Sequence, residues 1–311
     1  MTDSGAGTAR SFADKWSHNP ELAFAQTLNE GSEIARWILT RNGFGSGEGL
    51  AAYLADKRRI LDAGCGNGRV TALLQRYAPE SSEIVGVDLS SAGVARENLA
   101  ELPNVSVREA DLLGDLSELG EFDFIYCQEV LHHTGDPQRG LGNLVSRLGP
   151  GGEIAIYVYR RKAPVREFTD DWLRERISGL PYEEAMEVCR NVAELGRALA
   201  ELGATVRVPA IEPLEIAEGE YDVQRLVYHF FMKCFWNDEL DPEANAAINY
   251  DWYHPDVCSR HTLEEVRGWF ATAGLEIVHE HVDHYGITLR GVRGGDSTAS
   301  SDPDRRRQRL T

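Results

Sequence analysis

The sequence predicts an α/β fold, a mostly parallel sheet with helices on both faces. Three observations carry that expectation. Residues 60–69 read ILDAGCGNGR, an apolar strand running into an acid and then a glycine-rich turn. Between residues 58 and 160, short apolar runs alternate with stretches of helical periodicity. The alternation resumes after residue 261 and ends in two strands close enough to form a hairpin.

Taken in order, residues 1–10 are expected to be disordered. Helix is expected over 11–42, where Phe12, Trp16, Phe24, Leu28, Ile34, Trp37 and Ile38 recur at mixed helical spacings. NGFGSGEG at 42–49 reads as a loop and 50–56 as a short helix, so 11–57 form an N-terminal helical cap. Strands follow at 58–63, 84–88, 105–109, 122–127 and 153–159. Between them, helices are expected at 68–77, stopping before Pro79, and from Ser90 or Ser91, a capping residue, to before Pro103. A short turn or helix covers 115–119, and a further helix starts near Pro137 and ends at Gly149. The last helix covers 261–273, with strands at 275–283 and 285–292.

The pattern breaks over residues 161–260, a stretch rich in Glu and aromatics. Segments 166–178, 182–202 and 221–236 have helical periodicity. This insertion leaves the carboxyl end of the fifth strand, the edge where an open α/β sheet forms its ligand crevice. It therefore reads as a lid and substrate pocket. Residues 294–311, which end in Arg305, Arg306, Arg307 and Arg309, read as a disordered, solvated tail.

The chain of 311 residues suffices for one large domain with a sizeable insertion. Its net charge of −18 repels phosphate backbones and argues against nucleic acid as the main substrate. No apolar run reaches the roughly 20 residues needed to span a bilayer. The N-terminus lacks a basic start followed by an apolar core, and the five cysteines form no C-x-x-C pair, so a reducing cytoplasm is expected.

Asp62, Gly64, Gly66 and Gly68 stand in a D-x-G-x-G-x-G spacing. Glycine lets the backbone turn sharply and approach a ligand closely, and the next helix offers free N–H groups at its start. Asp88 closes the run IVGVD, where a carboxylate can hold two ribose hydroxyls. The glycine spacing departs from the dinucleotide fingerprint G-x-G-x-x-G. It resembles instead the class I S-adenosylmethionine (SAM)-dependent methyltransferases. READLL with Asp111, FDFIYCQEVLHH, LGPGGEIAIYVY and TLEEVRGWFATAGLEIVHE match that family in order. The resemblance covers roughly residues 55–160 and 261–293.

This resemblance implies a Rossmann-like sheet of seven strands, six parallel and the last antiparallel, with residues 58–160 and 261–293 binding SAM. It implies that Asp62 and the loop Gly64 to Gly68, with Cys65 as filler inside it, hold the methionine end. Asp88, followed by Leu89, takes the ribose. Asp111 accepts from the adenine amino group with Leu112 beside the ring, and Gln128 lies near the amino-acid end.

Methyl transfer is an in-line attack on a carbon activated by positive sulfur. Positioning supplies on the order of 7–11 kcal/mol, and a general base adds roughly 10²–10⁴-fold. His132 and His133 follow the fourth strand at the carboxyl edge. His133 reads as structural and His132 as the better base. Phe12 and Trp16 are candidates for folding over the sulfonium, an attraction of roughly 0.5–2 kcal/mol. In the insertion, Tyr228, Phe231, Trp236, Trp252 and Tyr253 are candidate walls of a substrate pocket. The run YDWYHP reads as a loop whose Tyr253 and His254 offer polar, candidate catalytic tips. His279, His281 and Asp283 share a strand face, but no fourth ligand is evident and no metal is expected.

The expected function is methyl transfer from SAM to oxygen, nitrogen or carbon of a small-molecule metabolite, in specialised metabolism. One alternative is attack on the cofactor's carbon chain, an aminocarboxypropyl transfer or cyclisation releasing methylthioadenosine. Another is a non-catalytic SAM-binding subunit. The expected partner is a small molecule, not nucleic acid or membrane, with a homo-oligomer left open.

Overall fold

The computed structural model describes residues 3–294. Its main sheet holds β1 (Arg59–Ala63), β2 (Glu83–Asp88), β3 (Val105–Glu109), β4 (Phe122–Gln128) and β5 (Leu148–Tyr159). Two short strands, β6 (Thr205–Val208) and β7 (Gly219–Asp222), pair apart from it as a hairpin. The chain returns to the main sheet with β8 (Leu275–Val282) and β9 (Gly286–Arg293). The order is β3-β2-β1-β4-β5-β9-β8. β9 runs antiparallel to both neighbours, and the other six strands are parallel to one another. This is the seven-stranded architecture expected from the sequence.

Ile60, Leu61, Ala63, Phe124, Ile125 and Cys127 of the central strands are buried. Such continuous apolar runs suit strands covered on both faces. On one face lie α7 (Pro137–Val145) and α12 (Leu263–Thr272), which contribute Leu141, Leu144, Val266 and Phe270. On the other lie α3 (Glu33–Arg41), α4 (Gly47–Leu54) and α5 (Arg69–Tyr77), with Ile38, Leu39, Leu50, Leu54, Leu73 and Leu74.

The N-terminus differs from expectation. Helix α1 spans Asp3–His18, so residues 3–10 are helical rather than disordered. Tertiary bonds hold it: Thr8 Oγ1 accepts from the Val257 backbone at 2.9 Å, and Ser11 Oγ lies 2.8 Å from His254 Nδ1. The tail expected to be disordered lies outside the described residues, except for Gly294. Among the described residues, no helix is long and apolar enough to cross a membrane.

After β5 come α8 (Pro164–Ile177), α9 (Tyr182–Glu201), the β6–β7 hairpin, α10 (Val223–Phe230) and α11 (Pro242–Tyr253). Here YDWYHP is not a loop, because Tyr250 to Tyr253 complete α11. Asp241 caps that helix by accepting from Ala244 N, and Pro242 sits in its first turn. Asn245 and Asn249, one turn apart, are fully buried and bond the backbone of residues 235 and 237 at 2.8–3.1 Å. Polar residues that suggest a loop here fasten a helix.

Asp170 of α8 knits the insertion together. Its Oδ2 accepts from Arg166 Nε at 3.0 Å and Trp252 Nε1 at 2.9 Å, and its Oδ1 from Tyr253 OH and Lys233 N, both at 3.0 Å. Removing one partner of a buried ion pair leaves the other charge uncompensated. Asp170→Ala is expected to destabilise the protein by about 3–5 kcal/mol, measured by denaturant unfolding. A loss below about 1 kcal/mol, the scale of an exposed pair, would show that Asp170 does not organise this region.

Candidate active site

A cavity of about 390 Å³ opens where β1, β2 and β4 end at their carboxyl edge. Three parts of the chain enclose it: the loops of that edge, helices α1 and α3, and the insertion.

The glycine loop forms its floor. Gly64, Gly66 and Gly68 all have positive φ, at 81°, 56° and 87°. A Cβ at Gly64 would lie 2.2 Å from Val130 Cγ2, and one at Gly66 would lie 2.9 Å from Trp16 Cζ2. Only glycine fits both the backbone and the space. Asp88 fastens this turn: its Oδ2 accepts from Gly66 N at 3.0 Å, and its Oδ1 from Ser90 N and Ser91 N at 2.9 Å. Asp62 accepts from Thr71 Oγ1 at 2.6 Å. Burial raises the Asp62 carboxyl to about 6, despite the Thr71 hydroxyl and the Arg69 charge that stabilise its anion. Asp111 Oδ1 accepts from Leu113 N at 2.9 Å.

Most cofactor residues named from the sequence meet at this cavity: Asp62, Gly64, Cys65, Gly66, Asp88, Leu89, Asp111, Leu112 and Gln128 line it, as do Phe12 and Trp16 from α1. Cys65 is buried among acids, and burial pushes its thiol well up, which suits filler rather than a nucleophile. Gly68 is absent from the wall. It starts α5 and packs against Leu99, where a Cβ would come within 2.7 Å.

Of the two histidines, the structure places His133, not His132, at the cavity wall. His133 lines the cavity, and its Nδ1 donates to the Val257 carbonyl at 2.8 Å. Nε2 is then the acceptor of a neutral ring, and burial keeps that ring neutral by lowering its pKa to about 4. His132 faces the interior, its ring centroid 3.7 Å from that of Tyr159 and tilted by 33°, with neither ring nitrogen hydrogen-bonded among the described residues. It does not line the cavity, because the 3₁₀ turn Leu131–His133 sends adjacent side chains in different directions.

Tyr228 and Trp252 line the cavity, but other insertion candidates do not. Tyr253 is fully buried, its single O–H lying between two acceptors, Asp170 Oδ1 at 3.0 Å and the Lys233 carbonyl at 2.7 Å. His254 bonds Ser11 and the Leu180 carbonyl. Phe231 packs with the β6–β7 hairpin cluster, and Trp236 donates to Asp238 at 2.6 Å on the outside. These four residues belong to the framework of the insertion, and none offers a group to the cavity.

Several wall residues gave no local sequence signal. Arg41 ends α3, where a cation reads as ordinary helix-end charge. In the structure it is buried, its guanidinium 3.5 Å from the Trp37 ring centroid, with Nε and Nη1 unbonded. Lys15 pairs with Asp251 at 2.9 Å, joining α1 to α11 across the cavity. Glu129, with φ of 64°, turns the end of β4 and pairs with Arg69 at 3.5 Å. A positive φ at a non-glycine residue is a strain that concentrates at functional sites.

Comparison with known proteins places this geometry. A family described as "Methyltransferase domain" matches residues 36–208, more than half of the chain. The chain belongs to the SAM-dependent methyltransferase family. An uncharacterized protein of Synechococcus is 40% identical over 227 residues, covering 70% of this chain and 47% of that protein. A trans-aconitate 2-methyltransferase of Methylobacterium radiotolerans is 30% identical over 197 residues, covering 63% of this chain and 66% of that one. A ubiquinone biosynthesis O-methyltransferase of Coxiella burnetii is 31% identical over 107 residues, 33% of this chain and 44% of that one. The chain thus spans less than two thirds of the length of these relatives. The crystal structure of a SAM-dependent methyltransferase from Aquifex aeolicus has a TM-score of 0.44 at 14% identity, covering 87% of this chain and 96% of that one.

The cofactor of this methyltransferase domain is SAM, and the donor set fits it. Gln128 Oε1 is buried without a partner, an acceptor available to an ammonium group, while Nε2 is held by Asn42 at 3.0 Å. The unbonded Arg41 N–H groups suit a carboxylate. Asp88 and Asp111 suit hydroxyl and amino donors. Asp88→Ala is expected to weaken binding of S-adenosylhomocysteine by about 10–100-fold, the value of one or two charge-assisted bonds. Calorimetry checks this, and an unchanged affinity would remove Asp88 from the site. Because Asp62 titrates near 6 and its anion is the form that attracts an ammonium group, affinity should fall as pH drops through about 6. A flat profile from pH 7.5 to 5 would mean that Asp62 does not face the ligand's charge.

Proposed function

We propose that this chain transfers the methyl group of SAM to a small-molecule acceptor enclosed beneath residues 161–260. The observation that carries this reading is the continuity of the cavity. It runs from the glycine loop and its acids to a chamber walled by Tyr157, Tyr159, Tyr228 and Trp252. The insertion serves as substrate chamber and lid, and α1 closes the cofactor side. Bound SAM supplies an electrophilic methyl group on a sulfonium. The names of the relatives, trans-aconitate and ubiquinone methyltransferases, support a metabolite as acceptor. The five cysteines are all unpaired, which supports a reducing cytoplasm.

His133 contributes an acceptor at a fixed position. Its Nδ1–H is held by the Val257 carbonyl, so Nε2 can accept the proton-bearing group of an acceptor molecule. A ring with a pKa near 4 is a weak base, so its main contribution is orientation. His133→Ala should lower turnover by about 10²-fold and leave SAM affinity within about threefold. His132→Ala should act through stability instead. Equal turnover losses without a stability difference would remove this distinction. The overall reading is tested by mass spectrometry of the protein incubated with SAM and a metabolite extract. S-adenosylhomocysteine with a methylated product supports it, and methylthioadenosine as the sole nucleoside product overturns it.

A further inference from the structure

We propose that the insertion side of the cavity seats an oxyanion, a carboxylate or phosphate carried by the methyl acceptor, with Arg166 as its anchor and Lys162, Lys233 and Arg225 around it. This rests on the methyltransferase reading above and names the chemistry of its substrate.

All four residues line the cavity. Arg166, Lys233 and Lys162 are only 2%, 5% and 7% exposed. Burying a cation without a counter-charge is costly, so buried cations are normally paired. Here the pairing falls short. Among the described residues, only Arg166 has a carboxylate within 4 Å, through Nε to Asp170. Asp170 is already shared with Trp252, Tyr253 and the Lys233 backbone. Both Nη atoms of Arg166 lack a hydrogen bond among the described residues, since its bond to Asp170 uses Nε. Its guanidinium is held between rings, 4.6 Å from Tyr228 and 5.2 Å from Trp252.

The two lysines are no better neutralised. Lys162 Nζ donates to the carbonyls of His284 and Tyr285, and Lys233 Nζ to that of Ile248 at 3.0 Å. An ammonium has three donors, so each lysine keeps at least one. Burial lowers both, Lys233 to about 8; the Arg166 charge adds to the effect, while Asp170 opposes it at both lysines, Asp251 at Lys233 and Asp283 at Lys162. Among the described residues, the Arg225 side chain has no hydrogen-bond partner, and it lies 5.7 Å from the Tyr228 ring.

The carboxylate of SAM does not account for this cluster. That group has its own candidate in Arg41, whose neighbour Asn42 bonds Gln128 at the cofactor end. The cluster comes from the segment between β5 and α8 (Lys162), from α8 (Arg166) and α10 (Arg225), and from the segment between α10 and α11 (Lys233). A guanidinium edge with two free Nη atoms matches the paired oxygens of a carboxylate or phosphate.

The experiment loads the protein with S-adenosylhomocysteine and titrates it with benzoate, citrate and inorganic phosphate, read by calorimetry and thermal melting. At least one anion should bind and raise Tm, and whether carboxylate or phosphate does so identifies the group. In Arg166→Gln that affinity should fall by about tenfold or more, with S-adenosylhomocysteine affinity changed less than about twofold. Arg225→Gln, at a half-buried position whose guanidinium makes no hydrogen bond among the described residues, should fold normally and lose about threefold, which keeps the test decisive if Arg166→Gln is unstable. No binding by any of the three anions, or equal binding by both variants, overturns the proposal. Failure of S-adenosylhomocysteine to bind would instead sink the methyltransferase reading, and the anion titration of the unloaded protein would still judge the seat.

Discussion

The missing side chains of Gly64 and Gly66 constrain everything around the site. β1 must end and reverse direction within a few residues at the sheet's centre, and it does so through left-handed backbone. The space left by the absent Cβ atoms is already taken, by Val130 from the end of β4 and by Trp16 from α1. The turn is therefore clamped by packing on two sides and by the Asp88 carboxylate bonding Gly66 N. Asp88 commits one oxygen to Ser90 and Ser91 and the other to the loop, so the carboxylate proposed to meet the ribose also fixes the loop's position.

Charge is sorted along the cavity. Carboxylates of Asp62, Asp88 and Asp111 come from the sheet edge, whereas Lys162, Arg166, Arg225 and Lys233 come from the insertion. Other charges along the wall are paired: Arg69 with Glu129 at the sheet edge, and Lys15 of α1 with Asp251 of α11. A sulfonium favours the acidic end, since a like charge nearby would be repelled strongly in an enclosed site of low dielectric. The surrounding protein carries net charge −18, which holds large polyanions off while a small anion inside meets a local positive field. The bulk charge speaks to nucleic acid. It does not describe the chamber.

The sheet and most of the cofactor wall were legible because they depend on local rules. Alternating strands and helices force a parallel sheet, and glycines with acids at strand ends mark the ligand edge. The insertion was less legible because its polar residues act inward. The run YDWYHP reads as a loop, yet its first residues complete α11, which Asn245 and Asn249 fasten by bonding the backbone of 237 and 235. Tyr253 reads as a tip for chemistry, yet its hydroxyl is held by Asp170. Helicity in residues 3–10 rests on Thr8 and Ser11, whose partners lie more than 240 residues away. No local window contains that information. Arg41 was missed for the same reason: its significance comes from Trp37 beneath it and from the cavity beside it.

The histidine pair shows why adjacency in sequence is poor evidence for shared function. His132 and His133 sit in one tight turn, and only one can face the cavity while the other fills the space beside Tyr159. The selection is made by hydrogen bonding. The Val257 carbonyl takes the His133 Nδ1–H and so fixes both the ring's direction and its tautomer. Val257 is in turn held by Thr8 of α1, so the helix that covers the cofactor side also positions the acceptor nitrogen on the other side. In the proposed reaction, a ring placed this way, neutral and depressed to about 4, contributes direction more than basicity. Direction also matters more when the methyl carbon under attack is already activated, because alignment of the reacting atoms can supply on the order of 7–11 kcal/mol.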